Sequence, residues 1–197
     1  MDSDLLEYKI YLQKIMDIVL NIYKTEISKK YKVDISLNQL PTLKDVWEEY
    51  KQINISVLIE CICLQMNIME TIGLTFYAIS MEDIYVCEGI FIICGKTINI
   101  VKDKFTFRSP PILDKKKYFH YPEFLSQKTI PCSFDKTVIY YSFGLVVLTC
   151  LSSYPTFTNG EYYINDEPID KFVEKIEGKI HYFLKRCFAP TRELLFI

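Results

Sequence analysis

Lys136-Thr137-Val138-Ile139-Tyr140-Tyr141-Ser142-Phe143-Gly144-Leu145-Val146-Val147-Leu148-Thr149-Cys150-Leu151 is the stretch whose reading decides the fold. After Lys136 it is uncharged, and its apolar side chains cover most of a helical circumference instead of one stripe, the pattern of a helix enclosed by protein. It predicts a core helix around which the remaining elements pack.

Upstream, Asp4 and Glu7 make a capping box, and apolar residues at helical spacing from Leu5 to Ile27 predict one amphipathic helix over 4–29, followed by a linker to residue 41. Pro41, Thr42 and Asp45 mark a second helix start, and the apolar pattern runs to Gly73, a good C-cap, as one long helix or as two with a break near Asn54. Its most apolar part, 57–69, holds Glu60, Gln65 and Asn67 and falls short of the ~20 apolar residues that a bilayer requires. The period then shortens. Leu74–Tyr77, Ile84–Cys87, Ile90–Cys94 and Thr97–Val101 are β-rich runs, the middle two joined by Glu88-Gly89 in a hairpin over 84–94. Lysines and prolines between 102 and 135 predict an irregular, locally basic, ordered loop. Residues 152–166 read as loop, Pro168 opens a helix, and 180–188 forms a last amphipathic piece.

Composition narrows the function classes. Half of the 197 residues are hydrophobic, which excludes disorder, and a net charge of −2 provides no positive field for nucleic acid or an anionic membrane. The seven cysteines are odd in number and sit mostly in apolar runs, so they read as buried thiols of a reducing, intracellular, cytoplasmic protein. His120 and His181 lie far apart, which makes a zinc site improbable, and Cys132 with His120 is a nucleophile pair that spacing alone leaves open. Lys115-Lys116-Lys117 beside Tyr118 and Phe119 reads first as a solvated loop; Thr106, Ser109 and Tyr118 are hydroxyls on which a regulatory switch within 102–120 would act.

Phe76-Tyr77-Ala78-Ile79-Ser80-Met81-Glu82-Asp83-Ile84-Tyr85-Val86 resembles the protein-kinase catalytic loop H-R-D-L-K-P-E-N-I-L-V, and it too lies between a long helix and a hairpin. Tyr121-Pro122-Glu123 is similar to the A-P-E that closes the activation segment. Tyr140 to Leu148 is similar to the start of the family's buried central helix, and Phe183 to Cys187 with Pro190-Thr191-Arg192 resembles its late helix and the arginine that pairs with the A-P-E glutamate. The resemblance covers 42–197 and has the flavour of divergent kinase-like proteins of large DNA viruses. It implies a mostly helical α+β fold: a C-lobe-like bundle with one small hairpin, no N-lobe, and a structural Glu123–Arg192 ion pair.

The same mapping implies an inactive module. Phosphoryl transfer requires a base, a lysine near the transferring phosphate and metal ligands. Ala78 stands at the catalytic aspartate, Ser80 at the loop lysine, Asp83 at the metal-binding asparagine and Ile139 at the aspartate that opens the central helix. No cofactor and no small-molecule substrate is expected; the expected partner is another protein, docked through the activation-segment surface or the N-terminal helix. Two other readings stay open: an atypical kinase that holds magnesium on Asp83 and Asp103 with a lobe supplied in trans, and an unrelated helical structural or interaction protein.

Overall fold

A computed structural model describes residues 40–87, 89–109, 114, 117–127 and 129–189. The expected N-terminal helix and linker, Arg192, Lys115 and Lys116 lie outside these residues, as does Glu88 of the expected hairpin turn.

The helical run after Pro41 is two helices. Thr42 caps α1 (Leu43–Tyr50) through a capping box, its hydroxyl accepting from Asp45 N–H at 3.3 Å while Asp45 Oδ2 accepts from Thr42 N–H at 2.9 Å. Lys51 turns left-handed at φ 54°, and Asn54 Oδ1 caps α2 (Ile55–Thr71) by accepting from Val57 N–H at 3.3 Å. Gly73 ends α2 at φ +77°, a backbone conformation that glycine adopts without strain.

Four small antiparallel sheets follow. β1 (Leu74–Ala78) pairs with β4 (Lys96–Asn99), and β2 (Ile84–Cys87) pairs with β3 (Ile90–Ile93). β5 (Lys104–Phe107) pairs with β6 (Cys132–Asp135), while β7 (Thr156–Thr158), β8 (Glu161–Ile164) and β9 (Glu167–Pro168) form a three-stranded sheet. Between them lie α3 (Pro122–Ser126), α4 (Val138–Leu151), α5 (Ile169–Val173) and α6 (Gly178–Phe188).

The expectation of a mostly helical bundle with a single hairpin is therefore corrected: the described residues form six α-helices and nine strands in an α+β fold. The misreading has a physical origin. β5 and β6 are four residues each and find one another across 24 intervening residues, from Phe107 to Cys132, so no local turn joins the pair. Their union builds a second apolar cluster of Phe105, Phe107, Cys132 and Phe134 inside the stretch expected to be irregular.

The central helix is as anticipated. Every residue of α4 from Ser142 to Cys150 is buried, and each fully buried Leu, Val or Phe there contributes about 1.5–3 kcal/mol relative to exposure. It packs on β1, α2 and α6. Gly144 sets the approach of α6, because a Cβ there would lie 2.9 Å from Cys187 Cβ and 2.8 Å from Phe188 Cζ. Gln65, fully buried in α2, ties that helix to the β2–β3 hairpin: its Nε2 donates to Phe91 O at 2.7 Å and its Oε1 accepts from Ile93 N–H at 2.9 Å. Among the described residues no helix is long and apolar enough to cross a membrane.

Candidate functional site

β1 delivers the chain to the loop singled out by sequence. Ala78 is fully buried and pairs with Lys96 at the end of the β1–β4 ladder, with its carbonyl 3.3 Å from where a Cβ on Gly95 would sit. Ser80 is buried, and Met81–Asp83 form a single 3-10 turn in which Asp83 Oδ2 accepts from Ser80 N–H at 3.1 Å. Asp83 O accepts from Cys94 N–H at 2.8 Å, which clamps the turn onto the end of β3. Burial raises the Asp83 carboxyl above the usual carboxylate range, outweighing its hydrogen bonds to Ser80.

The next carboxylate faces outward between two cations. Glu82 is 3.0 Å from Lys44 Nζ, on α1, and 2.6 Å from Lys117 Nζ, so its carboxyl is held below its ordinary value while both ammonium groups are held above theirs. Lys117 Nζ also lies 5.7 Å from the centre of the Tyr118 ring, and Lys96 Nζ lies 5.3 Å from it. The segment carrying Lys117 and Tyr118 is fastened to the loop by Phe119 N–H, which donates to Ile79 O at 3.0 Å.

Asp83 and Asp103 are not brought together. Lys102 and Asp103 are the positive-φ centre of a tight turn between Val101 and Lys104, beyond the Leu74–Asn99 end of the β1–β4 ladder. The loop of Asp83 adjoins the Ala78 end, four residue steps or about 13 Å away along the strand. Asp103 is engaged structurally: Lys136 Nζ bridges it, at 3.0 Å, to Glu70, at 2.8 Å. Among the described residues no group of three or more His, Cys, Asp or Glu side chains is placed to hold a metal.

Glu123 stands exposed in the first turn of α3 and accepts from Tyr121 O–H at 3.2 Å. It lines a cleft of ≈470 Å³ with Lys104, Asp135, Tyr141, Phe188 and Ala189; its expected partner Arg192 lies outside the described residues. Cys132 sits in the second apolar cluster, and His120 is buried with its main chain held by the Tyr162 hydroxyl, which donates to His120 O at 3.0 Å. His181 Nδ1 lies 3.0 Å from Val173 O. Burial pushes the Cys63 and Cys150 thiols up to about 12 and Cys187 well above its ordinary value, so these three are poor nucleophiles.

Sequence reasoning missed an aromatic groove of ≈280 Å³ beside this loop. Tyr118, Phe119 and Leu125 line it from the chain ahead of α4, and Tyr154, Pro155, Phe157 and Tyr162 from the chain after it. Tyr154 stacks on Phe119 with ring centres 6.2 Å apart and meets Trp47 edge-on at 5.4 Å, while Phe157 lies 4.7 Å from Tyr162. Tyr154 and Phe157 remain 40% and 39% exposed, too much apolar area for rings placed purely as core. The wealth of Tyr and Phe was the available signal; which rings meet is a property of the packing.

Compared with family models, with curated proteins and with solved structures, the chain matches none.

Proposed function

We propose that this chain is a catalytically inactive, protein-kinase-like module that works by binding another protein. The order of its elements supports the reading: α2 precedes the loop, the β2–β3 hairpin follows it, Tyr121-Pro122-Glu123 opens α3, and the buried α4 comes next. At the position that the resemblance assigns to the catalytic base, Ala78 has neither a proton acceptor nor exposure. The other residues that would serve transfer are spent on structure, Asp83 on its turn and Asp103 on Lys136.

The observation that carries the binding reading is the aromatic groove. Tyr118 and Phe119 of its lining belong to the stretch that the resemblance assigns to an activation segment, and its volume of ≈280 Å³ suits one or two side chains of a partner better than a whole cofactor. Display selection of random peptides on the full chain, counter-selected on its Phe157→Ala variant, tests this. Enrichment of peptides that bind the parent and not the variant is expected; an absence of Phe157-dependent peptides sinks the proposal.

A further inference from the structure

On α1, Lys44 and Trp47 are three residues apart and share one side of the helix. Trp47 meets Tyr154 edge-on at 5.4 Å, and Tyr154 stacks on Phe119 at 6.2 Å. Lys44 Nζ lies 3.0 Å from Glu82, which also lies 2.6 Å from the Nζ of Lys117, two residues ahead of Phe119. An aromatic path and an ionic path therefore run from one helix to the same wall of the groove, the wall formed by Tyr118 and Phe119. Glu82 is the centre of the ionic path and is not among the residues that line the groove.

The wall is tethered in different ways along its length. Phe119 is buried and its N–H donates to Ile79 O at 3.0 Å, and the Tyr162 hydroxyl donates to His120 O at 3.0 Å. The Lys117–Glu82 tether is ionic, with side chains 35% and 38% exposed, so it is the one that salt screens. Asp83 lies near Lys117 and Glu48 near Lys44, yet both lysines make their ion pairs with Glu82, while Asp83 accepts from Ser80 N–H at 3.1 Å. An exposed ion pair contributes little, so Glu82 tunes the wall and does not create it. We propose that Glu82 is a positioning residue of the groove, an ionic clasp whose pair with Lys117 sets how firmly Tyr118 and Phe119 are seated against Tyr154. The seating is then sensitive to ionic strength, and its bearing on function rests on the protein-binding reading.

Hydrogen exchange of the Phe119 amide in the full chain reports the seating, because that N–H is bonded to Ile79 O while the wall is in place. The Ile93 amide, which donates to Gln65 Oε1 in the core, reports global opening. In the parent, Phe119 is expected to be less protected than Ile93, the sign of a wall that opens locally. At low salt, Glu82→Gln and, separately, Lys117→Gln are expected to speed Phe119 exchange about two- to fivefold, the range of an exposed ion pair. The difference from the parent is expected to vanish at about 1 M salt, where the screening length is about 3 Å.

Phe119 protection equal to that of Ile93 throughout, or Phe119 exchange that neither variant changes at low salt, overturns the proposal. A Phe157-dependent peptide recovered by the display selection supplies the link to the groove: at saturation it is expected to slow Phe119 exchange in the parent and in Glu82→Gln alike, since it binds the seated wall. A bound peptide that leaves Phe119 exchange unchanged removes this wall from the groove and overturns the role given to Glu82. If exchange responds to Glu82→Gln and salt as expected but no Phe157-dependent peptide is recovered, the clasp stands and the docking reading alone falls.

Discussion

Replacing Gln65 by methionine removes a hydrogen-bonding amide from the core while leaving shape and helix propensity nearly unchanged. In the native chain Gln65 Nε2 donates to Phe91 O at 2.7 Å and Oε1 accepts from Ile93 N–H at 2.9 Å, so α2 serves the outer edge of β3 as a neighbouring strand would. The further bond from Nε2 to Cys61 O, 3.0 Å, lies within one helical turn. Gln65→Met takes from Phe91 O its donor and from Ile93 N–H this acceptor, and a buried polar group deprived of its partner costs about 1–3 kcal/mol. For Phe91 O alone the expected destabilisation is about 1–3 kcal/mol, which for a chain of this size lowers Tm by roughly 2–12 °C.

Urea unfolding followed by circular dichroism measures the loss, with an unchanged m-value to show that the denatured ensemble is the same. Gln65→Glu separates hydrogen bonding from packing. Its carboxylate would turn an oxygen toward Phe91 O and Cys61 O, so burial and repulsion raise the folded-state pKa above the unfolded value of about 4.3. A raised folded pKa means that the stabilising contribution is fully present below the unfolded pKa and is lost as pH rises through the folded one. Relative to the parent, Gln65→Glu is therefore less unstable at pH 4 than at pH 8. A Gln65→Met variant within about 0.5 kcal/mol of the parent would refute the role given to this side chain.

Two further expectations follow from the loop. Ala78→Asp, which supplies a carboxyl where the proposed kinase-like reading puts a base, places it at a position with no exposure; it is expected to destabilise by several kcal/mol and to give no phosphate transfer from magnesium ATP in a radiolabel assay. Transfer activity in that variant would show that the rest of the machinery is intact. Glu82→Gln should cost under about 1 kcal/mol at pH 7, since the site is partly solvated. The native Glu82 pKa is lowered by its two lysines, so the contribution is present above the unfolded carboxylate pKa and lost as pH falls through the folded one. The gap between parent and variant should close in urea titrations below about pH 4 and in high salt, and a gap that persists there would remove the ion pairs as its cause.

The local elements with their own punctuation were legible from sequence: the Thr42–Asp45 capping box, the Asn54 break, the Gly73 stop, the β2–β3 hairpin and the uniformly apolar α4. Asn159-Gly160, with φ of 55° and 88°, was equally legible as a two-residue hairpin turn, and reading 152–166 as plain loop passed over it. The β5–β6 pair has no such signal, because its two strands are specified by each other across the intervening chain. The same distinction governs the site. That Ala78 and Ser80 stand where the proposed resemblance puts a base and a lysine is a matter of residue type, readable in the sequence. That Asp83 and Asp103 end up at opposite ends of one ladder, that Lys44 and Lys117 converge on Glu82, and that Phe119, Tyr154 and Trp47 form one ring cluster was decided by tertiary structure. Periodicity and capping act over a turn or two of chain, whereas these contacts join segments dozens of residues apart, and burial of the shared core is what selects them.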